Sequence, residues 1–356
     1  MEVCSQNIFD PKTVLLKVNG NKCNMNCEYC SELPKNFSEE QCKFNLKRIK
    51  DLLSKLPKDV DIILHGGEPS LIGMDSILEI ARWIKELGFK YKPSIQTNGL
   101  LSKEWVEFFY ENKELIRVSV SIDGNETCNS FRRTKNNNKK VAFEVVNSFM
   151  HGIDECSIEF RCIATVNSFS WDKGEKIVNY FNEFKNLKFV RLNPCFDIDE
   201  NGVKKWAITP CQYLKCLKDA FSCMLNTESY KKFKLDPLMD IAENLKRETG
   251  QYEFKCNKFA SVFPDGTITS CDAMREVEQK VEIDPHMFTL FQQPNYVSEF
   301  MKKCNSCDYL SICKGGCPPL MYRYNIYKPE LMDEYCRYRV GIRKYIMEVM
   351  GKNDVL

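Results

Sequence analysis

The chain has 356 residues, a length that corresponds to two or three domains at roughly 150 residues per domain. Apolar residues make up 43% and charged residues 28% of the sequence, which excludes an intrinsically disordered or collagen-like chain. Lysine and arginine number 51 against 49 acidic residues, for a net charge of +2. That balance lacks the positive excess that nucleic-acid binding requires, so no nucleic-acid partner is expected.

The 19 cysteines are unusual beside only 3 histidines. The first residues, MEVCSQNIFDPK, lack the basic and apolar parts of a secretion signal, and no apolar run reaches the ~18–20 residues that span a bilayer. We therefore expect a cytoplasmic protein with no membrane partner, in which thiols stay reduced. So many cysteines favour metal binding or redox chemistry, although a share of them are expected to be small buried side chains.

Residues 13–195 alternate short β-branched runs with longer amphipathic segments. This alternation implies parallel strands joined by helices, hence an α/β fold with an open or closed barrel of six strands. Such barrels carry their active sites at the C-terminal ends of the strands. The predicted strands are 13–20, 61–68, 92–99, 116–123, 157–166 and 187–194, and the predicted helices lie near 39–56, 74–87, 103–113, 139–152 and 172–184.

The rest of the chain divides into two further parts. A charge-mixed helical bridge is predicted at 201–250, after a first domain at 1–200. Residues 251–356 form the third part and contain seven cysteines. There the turn signal Pro264-Asp265-Gly266 between short apolar runs predicts a hairpin, and a basic amphipathic helix is predicted from about 337.

Three cysteines follow the first predicted strand as C-x3-C-x2-C, at Cys23, Cys27 and Cys30. Three thiolates on one loop can bind three irons of a four-iron cluster and leave the fourth iron open. A structural zinc site normally has four protein ligands, and the nearest further cysteines are Cys4 and Cys42. The spacing favours an iron–sulfur cluster over a chance grouping of core cysteines.

These cysteines lie in CNMNCEYC (23–30), which resembles the cluster motif of the radical S-adenosylmethionine enzymes. The resemblance continues through GGEP at 66–69, QTNG at 96–99 and SIDG at 121–124, each at the end of a predicted strand. It implies a partial (β/α)6 TIM-like barrel whose cluster binds S-adenosylmethionine at the open iron and cleaves it to a 5′-deoxyadenosyl radical. Many members carry an aromatic residue where this chain has Ser31.

The same resemblance implies which residues contact the cofactor. The backbone of 66–68 would meet the methionine amino group, since glycines allow close backbone approach. Ser121 matches a position near the methionine or ribose, and Gln96 a polar position that faces the cavity. For these two, polar side chains that simply close the barrel are an open alternative, and GGEP without the cysteines would indicate only a strand-ending turn. The predicted cofactor-binding residues are Tyr29, Gly66, Gly67, Glu68, Gln96 and Ser121.

The cysteines after residue 250 read C-x9-G-x4-C, then C-x2-C-x5-C-x3-C, then a single cysteine. One or two zinc ribbons are the alternative explanation. The full series resembles the SPASM extension of radical S-adenosylmethionine enzymes, which implies a Cys-rich SPASM domain with two auxiliary clusters and three [4Fe–4S] clusters in the whole chain. By that resemblance the outer cluster is bound by Cys304, Cys307, Cys313 and Cys336, and the inner one by Cys256, Cys271 and Cys317.

The inner cluster is thus one ligand short. A substrate thiolate could bind its open iron, an acid such as Glu276 could serve as the ligand, or the cluster could be depleted. Asp272 matches an aspartate that sulfatase maturases place beside the substrate, which implies a catalytic base. A solvated turn residue is the alternative for Asp272.

The resemblance favours a radical S-adenosylmethionine oxidoreductase that modifies a peptide. Our leading hypothesis is a maturase that forms a thioether or carbon–carbon cross-link in a ribosomally made precursor. An anaerobic sulfatase maturase, making formylglycine from Cys or Ser, is the alternative, and a non-catalytic zinc or electron-transfer protein is a third. We expect an external reductant of the flavodoxin or ferredoxin type. Only 22 residues precede Cys23, so we expect no N-terminal leader-recognition domain and a leader bound by a separate protein or by the barrel.

Overall fold

The computed structural model describes residues 11–32, 37–246, 259–269, 303–313 and 315–353. Short 3-10 turns lie at Glu40–Cys42, Pro69–Ile72 and Ser229–Lys231. The strands are β1 (Thr13–Lys17), β2 (Asp61–His65), β3 (Ser94–Thr97), β4 (Arg117–Ser121), β5 (Phe160–Val166), β6 (Leu187–Pro194), β7 (Ile198–Asp199), β8 (Gly202–Val203), β9 (Lys234–Asp236), β10 (Phe259–Val262) and β11 (Ile268–Thr269).

The helices pack on the outside of the sheet and on one another. Helix α5 packs against α6, and the long α10 packs against α6, α7 and α9. They are α1 (Leu46–Lys55), α2 (Met74–Glu86), α3 (Lys103–Glu111), α4 (Lys139–Glu155), α5 (Gly174–Asn182), α6 (Pro210–Asn226), α7 (Leu238–Lys246), α8 (Leu310–Cys313), α9 (Pro318–Tyr327) and α10 (Pro329–Asn353).

One sheet of nine strands organises the described residues, in the order β11-β10-β1-β2-β3-β4-β5-β6-β9. All neighbours are parallel except β10 and β11, which form an antiparallel hairpin. The six predicted strands are β1 to β6, with helices α1 to α5 between them, and the predicted α/β barrel fold is confirmed. The parallel arrangement brings the C-terminal strand ends to one edge, where the predicted motifs lie.

The sheet reaches beyond the six predicted strands on both sides. Strand β9, inside the predicted helical bridge, pairs in parallel with β6. The predicted hairpin around Pro264–Gly266 is β10–β11, and β10 pairs in parallel with β1. Residues predicted to lie in the third part of the chain therefore continue the sheet of the first.

The local sequence explains how individual elements begin and pack. Helix α6 starts with a capping box, in which Thr209 and Gln212 each bond the backbone N–H of the other. Strand β2 alternates half-buried and buried residues, and its Ile62 and Leu64 are fully buried in the core. In the part of the chain described, no helix is long and apolar enough to cross a membrane.

Candidate functional site

The cysteine loop, residues 18–32, follows β1 and is held by the tip of β2. The backbone N–H of Gly67 donates to the carbonyl oxygen of Gly20, and that of Glu68 to the carbonyl oxygen of Lys22, both at 2.8 Å. The side chain of Asn19 donates to the carbonyl oxygen of Glu68, also at 2.8 Å. The GGEP segment and the cysteine loop are therefore one hydrogen-bonded unit.

The two glycines of this segment are required by the contact with the cysteine loop. A Cβ on Gly66, whose φ is 127°, would lie 2.6 Å from the carbonyl oxygen of Gly20. A Cβ on Gly67 would overlap the carbonyl oxygen of Lys22. The sequence led us to explain both glycines by the approach of the cofactor. The structure adds a reason within the chain itself, and their contact with the methionine amino group stays a prediction.

The three thiols of the cysteine loop lie close enough for their charges to interact. Burial raises the pKa of both Cys23 and Cys27, and a negative charge on Cys30 adds to the effect. Burial raises the pKa of Cys27 to about 11, an effect opposed by the nearby cation Arg132. The Sγ of Cys23 accepts from the backbone N–H of Met25 at 3.4 Å. The raised pKa values of Cys23 and Cys27 mean that a nearby cation favours their ionisation, and iron would supply one.

The spacing of these thiols also bears on the kind of metal group that they fit. A single ion needs ligands that converge on one point. Among the described residues, no three His, Cys, Asp or Glu side chains converge in that way. A four-iron cluster takes one thiolate on each iron, so its ligands stand further apart. Cys23, Cys27 and Cys30 are three thiols on one loop, the number that a four-iron cluster with one open iron requires.

Glu68 joins the tip of β2 to the tip of β3. Its carboxylate is fully buried and accepts from the backbone N–H of Ser70 at 3.0 Å, the hydroxyl of Thr97 at 2.9 Å and the backbone N–H of Asn98 at 2.6 Å. These bonds engage the carboxylate of Glu68 with neighbouring protein groups. The cofactor contact predicted for Glu68 is therefore a contact of its backbone.

Asn98, after the end of β3, contacts the cysteine loop. Its Nδ2 donates to Asn24 Oδ1 at 2.7 Å and lies 3.5 Å from the Sγ of Cys23. Its carbonyl oxygen accepts from the guanidinium of Arg132, which is only 6% exposed, at 2.8 Å. Asn98 belongs to the QTNG motif (96–99), but the sequence alone does not indicate this contact, and Arg132 has no signal in its local sequence.

Tyr29 is anchored to the end of β4. Its hydroxyl donates to Oδ2 of Asp123 at 2.6 Å, and its ring makes an edge contact with Phe131. Oδ1 of Asp123 accepts from the backbone N–H of Thr165 at 2.8 Å, which adds β5 to the same network. The predicted aromatic residue before the third cysteine is thus fixed by the carboxylate of the SIDG motif.

Asp123 should give the protein a recognisable pH dependence. Burial raises the pKa of Asp123 to about 6, although Arg132 opposes the shift. The folded state then binds a proton that the unfolded chain has lost, so the free energy of unfolding falls as the pH rises from about 4 to 6. The expected total is at most about 3 kcal/mol for two pKa units. Urea unfolding of the metal-free protein at several pH values measures it.

The Asp123→Asn variant is the control, because an amide keeps the size of the side chain and cannot titrate. We expect its stability to change less over this pH range than that of the unsubstituted protein. Parallel profiles for the two proteins would contradict the assignment of the effect to Asp123.

Gln96 and Ser121 are brought together at the ends of β3 and β4. Nε2 of Gln96 donates to the hydroxyl of Ser121 at 2.8 Å, and both side chains are half-buried. The structure places this polar pair at the edge that holds the cysteine loop. Their direct contact with a cofactor stays a prediction, beside the alternative that the pair closes the barrel.

A buried ion pair beneath the cysteine loop was not predicted. Lys17 at the end of β1 is fully buried, and its Nζ lies 3.1 Å from Oε2 of Glu32 and 3.2 Å from Nδ1 of His65. A buried pair of this kind fixes one geometry, because either charge without its partner is costly. It pins the far end of the cysteine loop to β1 and β2.

A second group of thiols lies beside α10. Four cysteines line a cavity of about 340 Å³, and the charges of Cys304, Cys307 and Cys313 each raise the pKa of Cys336 after the larger effect of burial. Cys317 does not line this cavity, and its backbone N–H donates to the hydroxyl of Tyr335 at 2.9 Å. The structure therefore brings together the four cysteines predicted for the outer cluster around one cavity, and Cys317 is not among the residues that line it.

One buried polar atom at this cavity tests whether the residues fit a cluster. Arg339 lines the cavity, and its Nε is buried with no hydrogen-bond partner. A buried donor without an acceptor is rare in folded proteins. Sulfur atoms of a four-iron cluster held by the four thiolates would be acceptors for it, so the residues present fit such a group.

Several predicted residues lie outside the described part of the chain. They include Cys256 and Cys271 of the inner cluster and the predicted base Asp272. Glu276 and Cys4 lie outside it as well. Their roles stay as the sequence predicted them.

Comparison with known proteins bears on the whole of this arrangement. Residues 19–157 match the model of the Radical SAM superfamily. A cysteine-type anaerobic sulfatase-maturating enzyme of Clostridium novyi is 23% identical over 330 residues, which cover 86% of this chain and 87% of the relative. A serine-type enzyme of Bacteroides thetaiotaomicron is 26% identical over 357 residues, covering 86% of this chain and 83% of the relative.

Solved structures show the same fold. The structure of native anSMEcpe with bound AdoMet has a TM-score of 0.72 and 22% identity, with 96% of this chain and 100% of that chain covered. Streptococcus suis SuiB bound to S-adenosylmethionine has a TM-score of 0.62 and 18% identity, with 89% of this chain and 75% of that chain covered. Residues 19–157 are a radical SAM domain, and the chain is similar over 86% of its length to anaerobic sulfatase-maturating enzymes.

Proposed function

We propose that the chain is a radical S-adenosylmethionine maturase that oxidises a ribosomally made precursor peptide and forms a thioether or carbon–carbon cross-link. The observation that carries the proposal is the presence of two thiol sites in one chain: the cysteine loop at the barrel edge and the four-cysteine cavity beside α10. A radical initiator needs only the first. The second site, the four-cysteine cavity, supports the proposal of an auxiliary cluster that accepts an electron from the substrate as the substrate is oxidised.

The chain's own residues would hold the initiating group and its cofactor. Cys23, Cys27 and Cys30 would bind a [4Fe–4S] cluster, and bound S-adenosylmethionine supplies a radical that abstracts a substrate hydrogen. The half-buried pair Gln96–Ser121 lies where it could orient the cofactor at the strand ends. Tyr29, fixed by Asp123, would keep the cysteine loop in one position as the cofactor binds.

The cysteines of the third part would hold two further clusters. Cys304, Cys307, Cys313 and Cys336 would complete the outer one, while Cys256, Cys271 and Cys317 leave the inner one a ligand short. We infer that a substrate thiolate binds there, because thiolate is the ligand that iron–sulfur clusters prefer. Asp272 would take the proton that the substrate loses on oxidation.

Formation of formylglycine in a sulfatase is the second candidate, and the similarity of maturing enzymes over 86% of this chain favours it. Both candidates oxidise a peptide or protein, and both need an external reductant such as a flavodoxin or ferredoxin to start the reaction. They differ in the product. Cross-linking joins two residues, whereas formylglycine is an aldehyde on a single residue.

The metal content and the reaction with the cofactor test the class of enzyme. Protein purified without oxygen should contain about twelve irons per chain, as three four-iron clusters require. Reduction in the presence of S-adenosylmethionine should release 5′-deoxyadenosine. A colourless protein that contains zinc and releases none would show the proposal to be wrong.

The product distinguishes the two candidates. Co-expression with a Cys-rich precursor encoded beside the enzyme should give a peptide lighter by two hydrogen atoms for each cross-link, unreactive towards hydrazide. Formylglycine made from serine has the same mass change, but its aldehyde reacts with hydrazide. The same precursor should alter the spectrum of the inner cluster, and a spectrum unchanged by its thiol would argue against direct ligation.

A further inference from the structure

Two arginines of α10, the half-buried Arg339 and the buried Arg343, form a cationic pair beside the four-cysteine cavity. Arg343 is 8% exposed, and its NH1 donates to the carbonyl oxygen of Arg339 at 3.1 Å. The NH2 of Arg339 donates to the carbonyl oxygen of Cys313 at 3.2 Å and also to that of Gly315. The guanidinium of Arg339 is therefore hydrogen-bonded to the loop that carries Cys313, a predicted ligand of the outer cluster.

No carboxylate in the part of the chain that the structure describes forms an ion pair with Arg339 or Arg343. Burial lowers the pKa of Arg343 to about 10, and the charge of Arg339 adds to the effect, so both remain protonated at neutral pH. A buried charge is costly unless an opposite charge compensates it.

The cavity supplies the missing negative charge if a cluster occupies it. Four thiolates make a bound [4Fe–4S] cluster anionic overall, and one-electron reduction makes it more so. Nearby cations and hydrogen bonds to the sulfurs favour the reduced form. Arg339 lines the cavity and has a buried Nε–H without an acceptor, so it provides both kinds of interaction.

We propose that Arg339 and Arg343 are positioning residues that raise the reduction potential of the outer auxiliary cluster, with the Nε–H of Arg339 donating to one of its sulfurs. The inference rests on the proposed auxiliary cluster and goes beyond it, because it assigns a role to residues that are not ligands. The outer cluster thereby becomes a better electron acceptor than it would be without the two cations.

The test is a redox titration of the whole anaerobic enzyme with dithionite, followed by EPR. The signal that disappears in Cys307→Ala identifies the outer cluster. In Arg339→Gln we expect the equilibrium constant for one-electron reduction of that cluster to fall about tenfold, which is a shift of about 59 mV to lower potential. The iron content should stay that of the unsubstituted enzyme.

Arg337 provides the matched control. It lies on the same helix and lines the same cavity, but it is exposed, so solvent screens its charge. Arg337→Gln should leave the potential unchanged, and Arg339→Lys, which keeps the charge, should shift it less than Arg339→Gln does. An unchanged potential in Arg339→Gln with full iron, or an equal shift in Arg337→Gln, would overturn the inference.

Loss of the outer cluster from a variant is a different result from a change in the reduction potential of that cluster. If Arg339→Gln loses iron, the potential of the outer cluster is measured in Arg343→Gln instead, since Arg343 does not bond the Cys313 loop. A fall to lower potential with full iron supports the inference, and an unchanged potential overturns it. If the unsubstituted enzyme has no signal that Cys307→Ala removes, the auxiliary cluster is absent and the proposed function fails before the arginine pair is involved.

Discussion

In the Cys27→Ala variant, release of 5′-deoxyadenosine from S-adenosylmethionine is expected to fall by at least ~100-fold, beyond the 10–100-fold loss typical of residues that only support a metal ligand. Cys27 lies between the other two thiols of the loop in sequence, and its charge interacts with both. Its replacement leaves two thiolates, too few to hold a cluster with a single open iron. Cofactor cleavage under reduction is measured by chromatography, and iron is counted on the same sample.

Two other cysteines show whether the loss is specific. Cys42 lies beside the cysteine loop, with its Sγ 3.5 Å from Oδ1 of Asn21, but it is outside the motif. Cys42→Ala should therefore cleave the cofactor normally. Cys307→Ala, at the cavity beside α10, should retain part of the cleavage while it loses the modified peptide. Equal loss of cleavage in Cys27→Ala and Cys307→Ala, with folding intact, would refute the separate roles of the two sites.

The Gly67→Ala variant is expected to lose roughly 2–4 kcal/mol of unfolding free energy, from overpacking and from disrupted buried hydrogen bonds. The added methyl would overlap the carbonyl oxygen of Lys22, an atom of the backbone that cannot rotate away. The bond from Gly67 to Gly20 and the bond from Glu68 to Lys22 would both be strained. Urea unfolding of the metal-free protein measures the change, and reconstitution should then give less iron in the cysteine loop.

Gly88→Ala is the matched control. A Cβ at Gly88 would meet no atom within 4 Å, so the substitution costs only the strain of a positive φ, here 76°. That strain is roughly 1–2 kcal/mol. Iron binding and cofactor cleavage should be unaffected. If Gly88→Ala lowered the iron content as far as Gly67→Ala, the contact between GGEP and the cysteine loop would not be what holds the cluster.

The six central strands could be predicted because their signal is local. Each is a short β-branched run between amphipathic segments, and β1 to β6 fall within the predicted ranges. Strand β9 was missed because three residues, Lys234–Asp236, give no periodic pattern and form a strand only by pairing with β6. The pairing of β10 with β1 joins residues 246 positions apart, such as Thr13 and Phe259, which no sequence pattern encodes.

The residues of the site also divide into those that a local pattern indicates and those that only long-range contacts define. The spacing of Cys23, Cys27 and Cys30 is local, and the resemblance of the later cysteines to the SPASM extension let us predict the four that line the cavity. The contacts that fix the loop are long-range: Tyr29 reaches Asp123 across 94 positions. Asn98 lies in the QTNG motif and Arg132 in no motif, but the partners of both are known only once the barrel edge has formed.

The pairing of β10 with β1 limits where the chain can be divided into fragments that fold when expressed. Removing everything after residue 246 would take β10 away from β1 and leave the hydrogen-bonding groups of an apolar strand unprotected, as at the open edge of an aggregating sheet. That exposed strand leads directly into the cysteine loop. The radical SAM portion is therefore a poor minimal fragment, and a library of chimaeras that exchanges the cysteine-rich part needs its junctions beyond β11, not at the boundary that composition suggests.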